Sequence, residues 1–167
     1  MIGASFVNKD KLYFLVVGDL AFFYDLNSLG NRHIGNNVRI LLVNNGKGTE
    51  FRNSSHPCAA FGDEADAYMA AGGHYGNKSS QLVKHYAEDL GFEYLTASTK
   101  EEFLSKADRF VTPELTEKPM IFEVFTNHED ERDALDLMSN IVELGNIDIL
   151  KRKAKTAIRL GLNLLKK

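Results

Sequence analysis

Two clusters of hard oxygen donors carry the chemistry of this chain of 167 residues. Gly18-Asp19 follows an apolar run over residues 12–17, and Asn44-Asn45-Gly46 follows a second over residues 38–43. A carboxylate, an amide oxygen and a loop carbonyl suit Mg2+ or Ca2+ rather than zinc or copper. So small a set of charged ligands leaves phosphate oxygens and water to complete a magnesium octahedron. The backbone N–H groups of Leu20 and Ala21 open the helix after Asp19, and a helix start attracts an anion. The pair therefore reads as a place for Mg2+ and a diphosphate. Each half alone has a simpler reading: Asp19 as a helix N-cap, and Asn45-Gly46 as a turn that needs positive φ. The conjunction, with 26 positions between Asp19 and Asn45, favours the joint site.

The elements that must position these donors follow from the apolar pattern. Both runs are continuous and bounded by turn residues, which predicts strands buried on both faces. Between them, Phe22, Phe23, Leu26 and Leu29 share one face of a helix over residues 20–29. Strand, helix and strand within about thirty residues form a βαβ unit with a right-handed crossover. In open parallel sheets, ligands bind beyond the carboxyl ends of the strands, where Asp19 and Asn45 stand. Upstream, the small and apolar residues Ile2-Gly3-Ala4-Ser5 read as the last turn of a packed helix. Residues 44–62 have no period and read as a long loop, a length usual for functional segments. Residues 64–71 form a short helix. Ser79 or Ser80 caps a helix to Leu90, with Leu82, Val83, Tyr86 and Leu90 facing inward. A short strand follows over residues 92–95. Thr99 with Glu102 fits a capping box for the next helix. Pro119 precedes a third apolar strand, Met120–Phe125, and Asn127 caps a helix with an acidic first turn. The alternation gives an α/β fold, a mainly parallel sheet flanked by helices.

Charge and composition bound the partners. The net charge of −3 gives no reason to expect nucleic acid. Residues 147–167 hold seven basic side chains and one acidic. They read as a basic amphipathic helix packed on the body or on a partner, after an α/β domain over residues 1–146. No apolar stretch reaches membrane-spanning length, no secretory leader is evident, and the single cysteine, Cys58, fits a reducing compartment. Cytoplasm is the expected location. His33, His56, His74, His85 and His128 show no metal-ligand spacing. No GxGxxG follows the first strand, which disfavours a dinucleotide site.

The Gly18-Asp19 and Asn44-Asn45 pattern resembles the diphosphate domain of the thiamine-diphosphate-dependent enzymes. Val17-Gly18-Asp19-Leu20, Tyr24-Asp25-Leu26-Asn27 and Asn44-Asn45-Gly46 look closer still to their menaquinone-pathway branch, the 2-succinyl-5-enolpyruvyl-6-hydroxy-3-cyclohexene-1-carboxylate synthases. Leu20, where most of the family has glycine, is typical of that branch. The resemblance covers residues 2–51 and is only architectural over 52–143.

The resemblance implies Mg2+ held by Asp19, the side chain of Asn45 and the carbonyl of Lys47. It implies thiamine diphosphate against Gly18, Asp19, Leu20, Ala21, Asn45, Lys47, Gly48 and Thr49. Lys47 and Glu50 depart from the family, which usually has glycine at the first and an apolar residue near the second. Glu50 either turns outward or serves as an acid/base for this substrate, and it is the catalytic candidate within the chain. The family's catalytic glutamate belongs to a pyrimidine-binding domain, which no stretch here resembles. The chain thus looks like the C-terminal part of a larger lyase or transferase, a homodimer or homotetramer, inactive alone. A 2-oxo acid is the implied substrate, decarboxylated and ligated to an acceptor, with 2-oxoglutarate and isochorismate the branch's pair. The alternatives are a phosphonopyruvate- or sulfopyruvate-type decarboxylase domain, and a non-catalytic module that keeps the fold.

Overall fold

A computed structural model describes residues 1–53, 56–73 and 78–141. Residues 1–132 form one compact unit. The helix expected over 147–167, and with it the end of the 1–146 domain, lie outside the described residues. In chain order the elements are α1 (Ile2–Ser5), β1 (Tyr13–Gly18), α2 (Asp19–Tyr24), β2 (Val38–Asn44), α3 (Glu64–Tyr68), α4 (Leu82–Asp89), β3 (Glu93–Ala97), α5 (Lys100–Phe110), β4 (Met120–Phe125) and α6 (His128–Ile141).

The four strands are all parallel, in the order β1-β2-β4-β3. β2 and β4 are central, and this explains their composition. A strand with neighbours on both sides and helices on both faces has no wet face. Accordingly Val38, Ile40 and Leu42 are buried on one face with Ile121, while Met120 and Phe122 are buried on the other. The first face packs against Phe22 and Leu29 of the crossover and against Val83 and Ala87 of α4. The second packs against Phe110, with Phe103 stacked on Phe122 at 5.3 Å.

Four expectations change. β1 is an edge strand, half-buried on one face and exposed on the other, with Phe14 and Val16 exposed at 47% and 68%. A continuous apolar run reports apolar contact somewhere along the strand, not that both faces are covered within this chain. The crossover is two pieces, α2 and a 3-10 turn over Leu26–Gly30, joined at Asp25. Phe22 and Leu29 still reach the core because both pieces keep a near-helical spacing. The loop after β2 contains 3-10 turns at Thr49–Arg52 and Pro57–Phe61, too short for periodicity to reveal. Leu90 lies past the end of α4 and is exposed, not inward.

The caps follow the sequence. Thr99 Oγ1 accepts the Glu102 N–H at 3.2 Å, and the Glu102 side chain accepts the Ser98 N–H at 2.7 Å. Asn127 Oδ1 accepts the Glu129 N–H at 2.8 Å at the start of α6. Among the described residues no helix is long and apolar enough to cross a membrane.

Candidate functional site

The parallel register brings the two donor clusters together. Gly18 pairs with Val43 and Asn44 pairs with Phe125. Asp19 and the Asn44-Asn45 pair therefore leave neighbouring strands at one level of the sheet. Asp19 is 1% exposed. The N-cap of α2 is Gly18, so Asp19 stands one residue inside the helix and the simple cap reading does not describe it. Leu20 is half-buried and Ala21 is exposed.

The turn after β2 is held by its own asparagines. Asn44 Oδ1 accepts the Gly46 N–H at 3.2 Å, and Asn45 Oδ1 accepts the Lys47 N–H at 3.1 Å. Gly46 has φ of +80°, the left-handed region that glycine enters without cost. At Gly48 a Cβ would stand 3.0 Å from Leu20 Cδ2 and 3.0 Å from the Phe51 ring. This close approach brings the loop after β2 against the residue that follows Asp19, so both strand ends share one wall.

Lys47 and Thr49 have distinct fates. The Lys47 ammonium lies 2.9 Å from Asp66, which Arg52 also approaches at 3.0 Å. Burial works to raise the Asp66 carboxyl, but Lys47 and Arg52 outweigh it and hold it below its ordinary value. Together with the Gly48 N–H donated to Ala70 O at 2.7 Å, this ties the loop to α3. Thr49 is buried, and its hydroxyl has no hydrogen-bond partner among the described residues. Glu50 is exposed. His56 Nδ1 accepts the Cys58 N–H at 3.1 Å, a local cap on the Pro57–Phe61 turn.

Two carboxylates stand behind the asparagine pair, and neither is among the site residues expected from sequence. Glu123 lies in the middle of β4 and is 1% exposed. Its Oε1 accepts Asn44 Nδ2 at 2.7 Å and its Oε2 accepts the Tyr94 hydroxyl at 2.6 Å. Burial pushes the Glu123 carboxyl above its ordinary value, Tyr94 and Asn44 pull the other way, and Asp19 adds to the rise. Burial also raises the Tyr94 hydroxyl, and the bond to Glu123 reinforces the shift. Glu131, in the first turns of α6, accepts Asn45 Nδ2 at 2.6 Å and is itself held by the Thr126 hydroxyl. A lone glutamate inside the run Met120–Phe125 was the available signal for Glu123. Glu131 was legible only as an acidic residue suited to a helix start.

Among the described residues, no three His, Cys, Asp or Glu side chains form a metal-binding group. A cation at these strand ends would rest on one carboxylate with amide and carbonyl oxygens. That is the hard-donor set which favours magnesium when phosphate oxygens and water complete the shell.

No family model matches the chain. It does match curated relatives, each named 2-succinyl-5-enolpyruvyl-6-hydroxy-3-cyclohexene-1-carboxylate synthase. The protein of Bacteroides fragilis is 40% identical over 126 residues, 75% of this chain and 21% of its own length. That of Bacteroides thetaiotaomicron is 39% identical over 119 residues, 71% of this chain and 20% of its own. That of Phocaeicola vulgatus is 37% identical over 127 residues, 76% of this chain and 21% of its own. The chain thus spans about a fifth of the length of these relatives, and over that stretch it is a homologue of the 2-succinyl-5-enolpyruvyl-6-hydroxy-3-cyclohexene-1-carboxylate synthases.

Proposed function

We propose that this chain is the diphosphate- and Mg2+-binding part of a thiamine-diphosphate-dependent synthase of the menaquinone pathway, acting on a 2-oxo acid. One observation carries the reading: Asp19, 1% exposed, leaves β1 level with the Asn44-Asn45 pair that ends β2. The relatives' printed names support a synthase over a phosphonopyruvate- or sulfopyruvate-type decarboxylase.

The residues present fit the cofactor. Asp19, Asn45 Oδ1 and the Lys47 carbonyl would hold Mg2+, all of them hard oxygen donors. Gly18, Leu20, Ala21, Gly48 and Thr49 would surround the diphosphate. The buried Thr49 hydroxyl, unpartnered among the described residues, would donate a hydrogen bond to a phosphate oxygen. Thiamine diphosphate supplies the ylid on which a 2-oxo acid is decarboxylated and ligated to an acceptor.

This chain's own contribution is position and charge. Asp19 and Asn45 would hold the cation beside the diphosphate. The Lys47–Asp66–Arg52 ion pairs hold the loop against α3. Glu50, exposed on the same loop, would exchange a proton with substrate arriving from a pyrimidine-binding domain. That domain, in the same protein or a partner subunit, completes a cytoplasmic homodimer or homotetramer.

Equilibrium dialysis of the chain against thiamine diphosphate, with and without Mg2+, tests the reading. Retention that requires Mg2+ and is lost in Asp19→Ala is the expected result. A non-catalytic module that kept only the fold would retain nothing in either form.

A further inference from the structure

An asparagine that serves a cation must present its oxygen, yet the amide can rotate by half a turn with almost no change in shape. The flipped form would aim an NH2 group at the cation, which cannot ligate it. Something must choose between the two, and in this chain the choice is made twice. Asn45 Nδ2 donates to Glu131 Oε2 at 2.6 Å while Asn45 Oδ1 accepts the Lys47 N–H at 3.1 Å. Asn44 Nδ2 donates to Glu123 Oε1 at 2.7 Å while Asn44 Oδ1 accepts the Gly46 N–H at 3.2 Å. Each amide has a carboxylate on its nitrogen side and a backbone donor on its oxygen side. Each of these carboxyl groups accepts at both of its oxygens, so a flipped amide would set two oxygens against each other at those distances. It would also turn an NH2 group toward a backbone N–H.

We infer that Glu131 and Glu123 are positioning residues for the cation site, each locking one amide of the Asn44-Asn45 pair with its oxygen toward the turn. The inference rests on the reading of Asn45 as a Mg2+ ligand. Asn45 Oδ1 spends one lone pair on the Lys47 N–H and keeps a second for the cation. Asn44 acts one step back: its oxygen holds Gly46 in the left-handed turn that places Lys47. Both carboxylates are held in turn, Glu123 by Tyr94 and Glu131 by Thr126. Outer partners of this kind typically set metal affinity by about ten- to a hundredfold.

The test uses the full 15N-labelled chain, with two readouts. Nuclear magnetic resonance follows the shift and solvent exchange of the Asn44 and Asn45 side-chain NH2 groups. Titration with Mn2+, read by electron paramagnetic resonance in the presence of thiamine diphosphate, gives cation affinity. Glu131→Ala should move the Asn45 NH2 signals, speed their exchange and weaken Mn2+ about ten- to a hundredfold. Glu131→Gln, which keeps an acceptor oxygen, should recover part of both. Glu123→Gln should move the Asn44 signals and spare those of Asn45. Thr99→Ala, a weakened cap on α5, should move neither readout and controls for lost stability. Unmoved Asn45 signals in Glu131→Ala overturn the inference, as does moved Asn45 with Mn2+ affinity equal to wild type. If wild type binds no Mn2+ although Glu131→Ala moves the Asn45 signals, the cation reading fails and the positioning role falls with it, while the amide lock stands.

Discussion

Glu123 is a carboxylate carried into the sheet by the strand it belongs to. Its folded proton affinity is raised, chiefly by burial. A raised carboxyl contributes stability that is complete below its unfolded value of 4.5 and is lost as pH rises through the higher folded value. Denaturation from pH 4 to 8 should therefore show wild type losing ground to Glu123→Gln as pH rises, because glutamine has no proton to lose. A constant difference across that range would show that Glu123 does not titrate with folding. Asp66 has the opposite sign. Its carboxyl is lowered below 3.8 by Lys47 and Arg52, so its contribution is present above 3.8 and is lost as pH falls through the folded value. Asp66→Asn should cost more stability at pH 7 than at pH 3, and an equal cost at both would contradict the ion-pair account. Asp19, Asn45 and the turn at Gly46 were legible in the sequence because each ends an apolar run in a donor. Glu123 and Glu131 were harder to see, since the asparagines they serve lie 79 and 86 positions away. Spacing reasoning reaches only neighbours along an element.

The element that matters most to the site is the loop from Gly46 to Arg52, and its fit depends on Gly48. A Cβ there meets Leu20 Cδ2 and the Phe51 ring at 3.0 Å, so those side chains or the loop that carries Phe51 must give way. Gly48→Ala should destabilise the chain by about 1–3 kcal/mol, the usual cost of overpacking. It should also weaken cofactor binding, because the moved loop carries Lys47 and Thr49. Thermal denaturation and dialysis together check this; a variant as stable as wild type would mean the loop has room to spare. Thr99→Ala should cost about 1 kcal/mol through loss of the α5 cap, with the fold retained. Capping was readable because Ser, Thr and Asn satisfy the first N–H groups of a helix from fixed offsets. The Leu26–Gly30, Thr49–Arg52 and Pro57–Phe61 turns were not, since one 3-10 turn carries too few apolar positions to define a period.

For the chain as a whole, the parallel α/β architecture followed from strands alternating with helices, and β2 and β4 sit where their composition demands. The exception is β1, whose Phe14 and Val16 are as apolar as the central strands yet stay exposed at the sheet edge. Sequence records that a surface is apolar but not which molecule covers it. The same limit applies to activity. On the proposed reading a pyrimidine-binding domain outside these 167 residues completes the cofactor site, so these residues alone should release no CO2 from 2-oxoglutarate even when supplied with thiamine diphosphate and Mg2+. Turnover by the isolated chain would overturn that division of labour. Asp19 and Asn45 are proposed to hold a cation and a diphosphate together. Calorimetric titration of the full chain with thiamine diphosphate in Mg2+ addresses it most directly, comparing wild type with Asp19→Ala and Asn45→Ala. Saturable binding by wild type that disappears in both variants is the predicted result, and equal heats from all three proteins would contradict it.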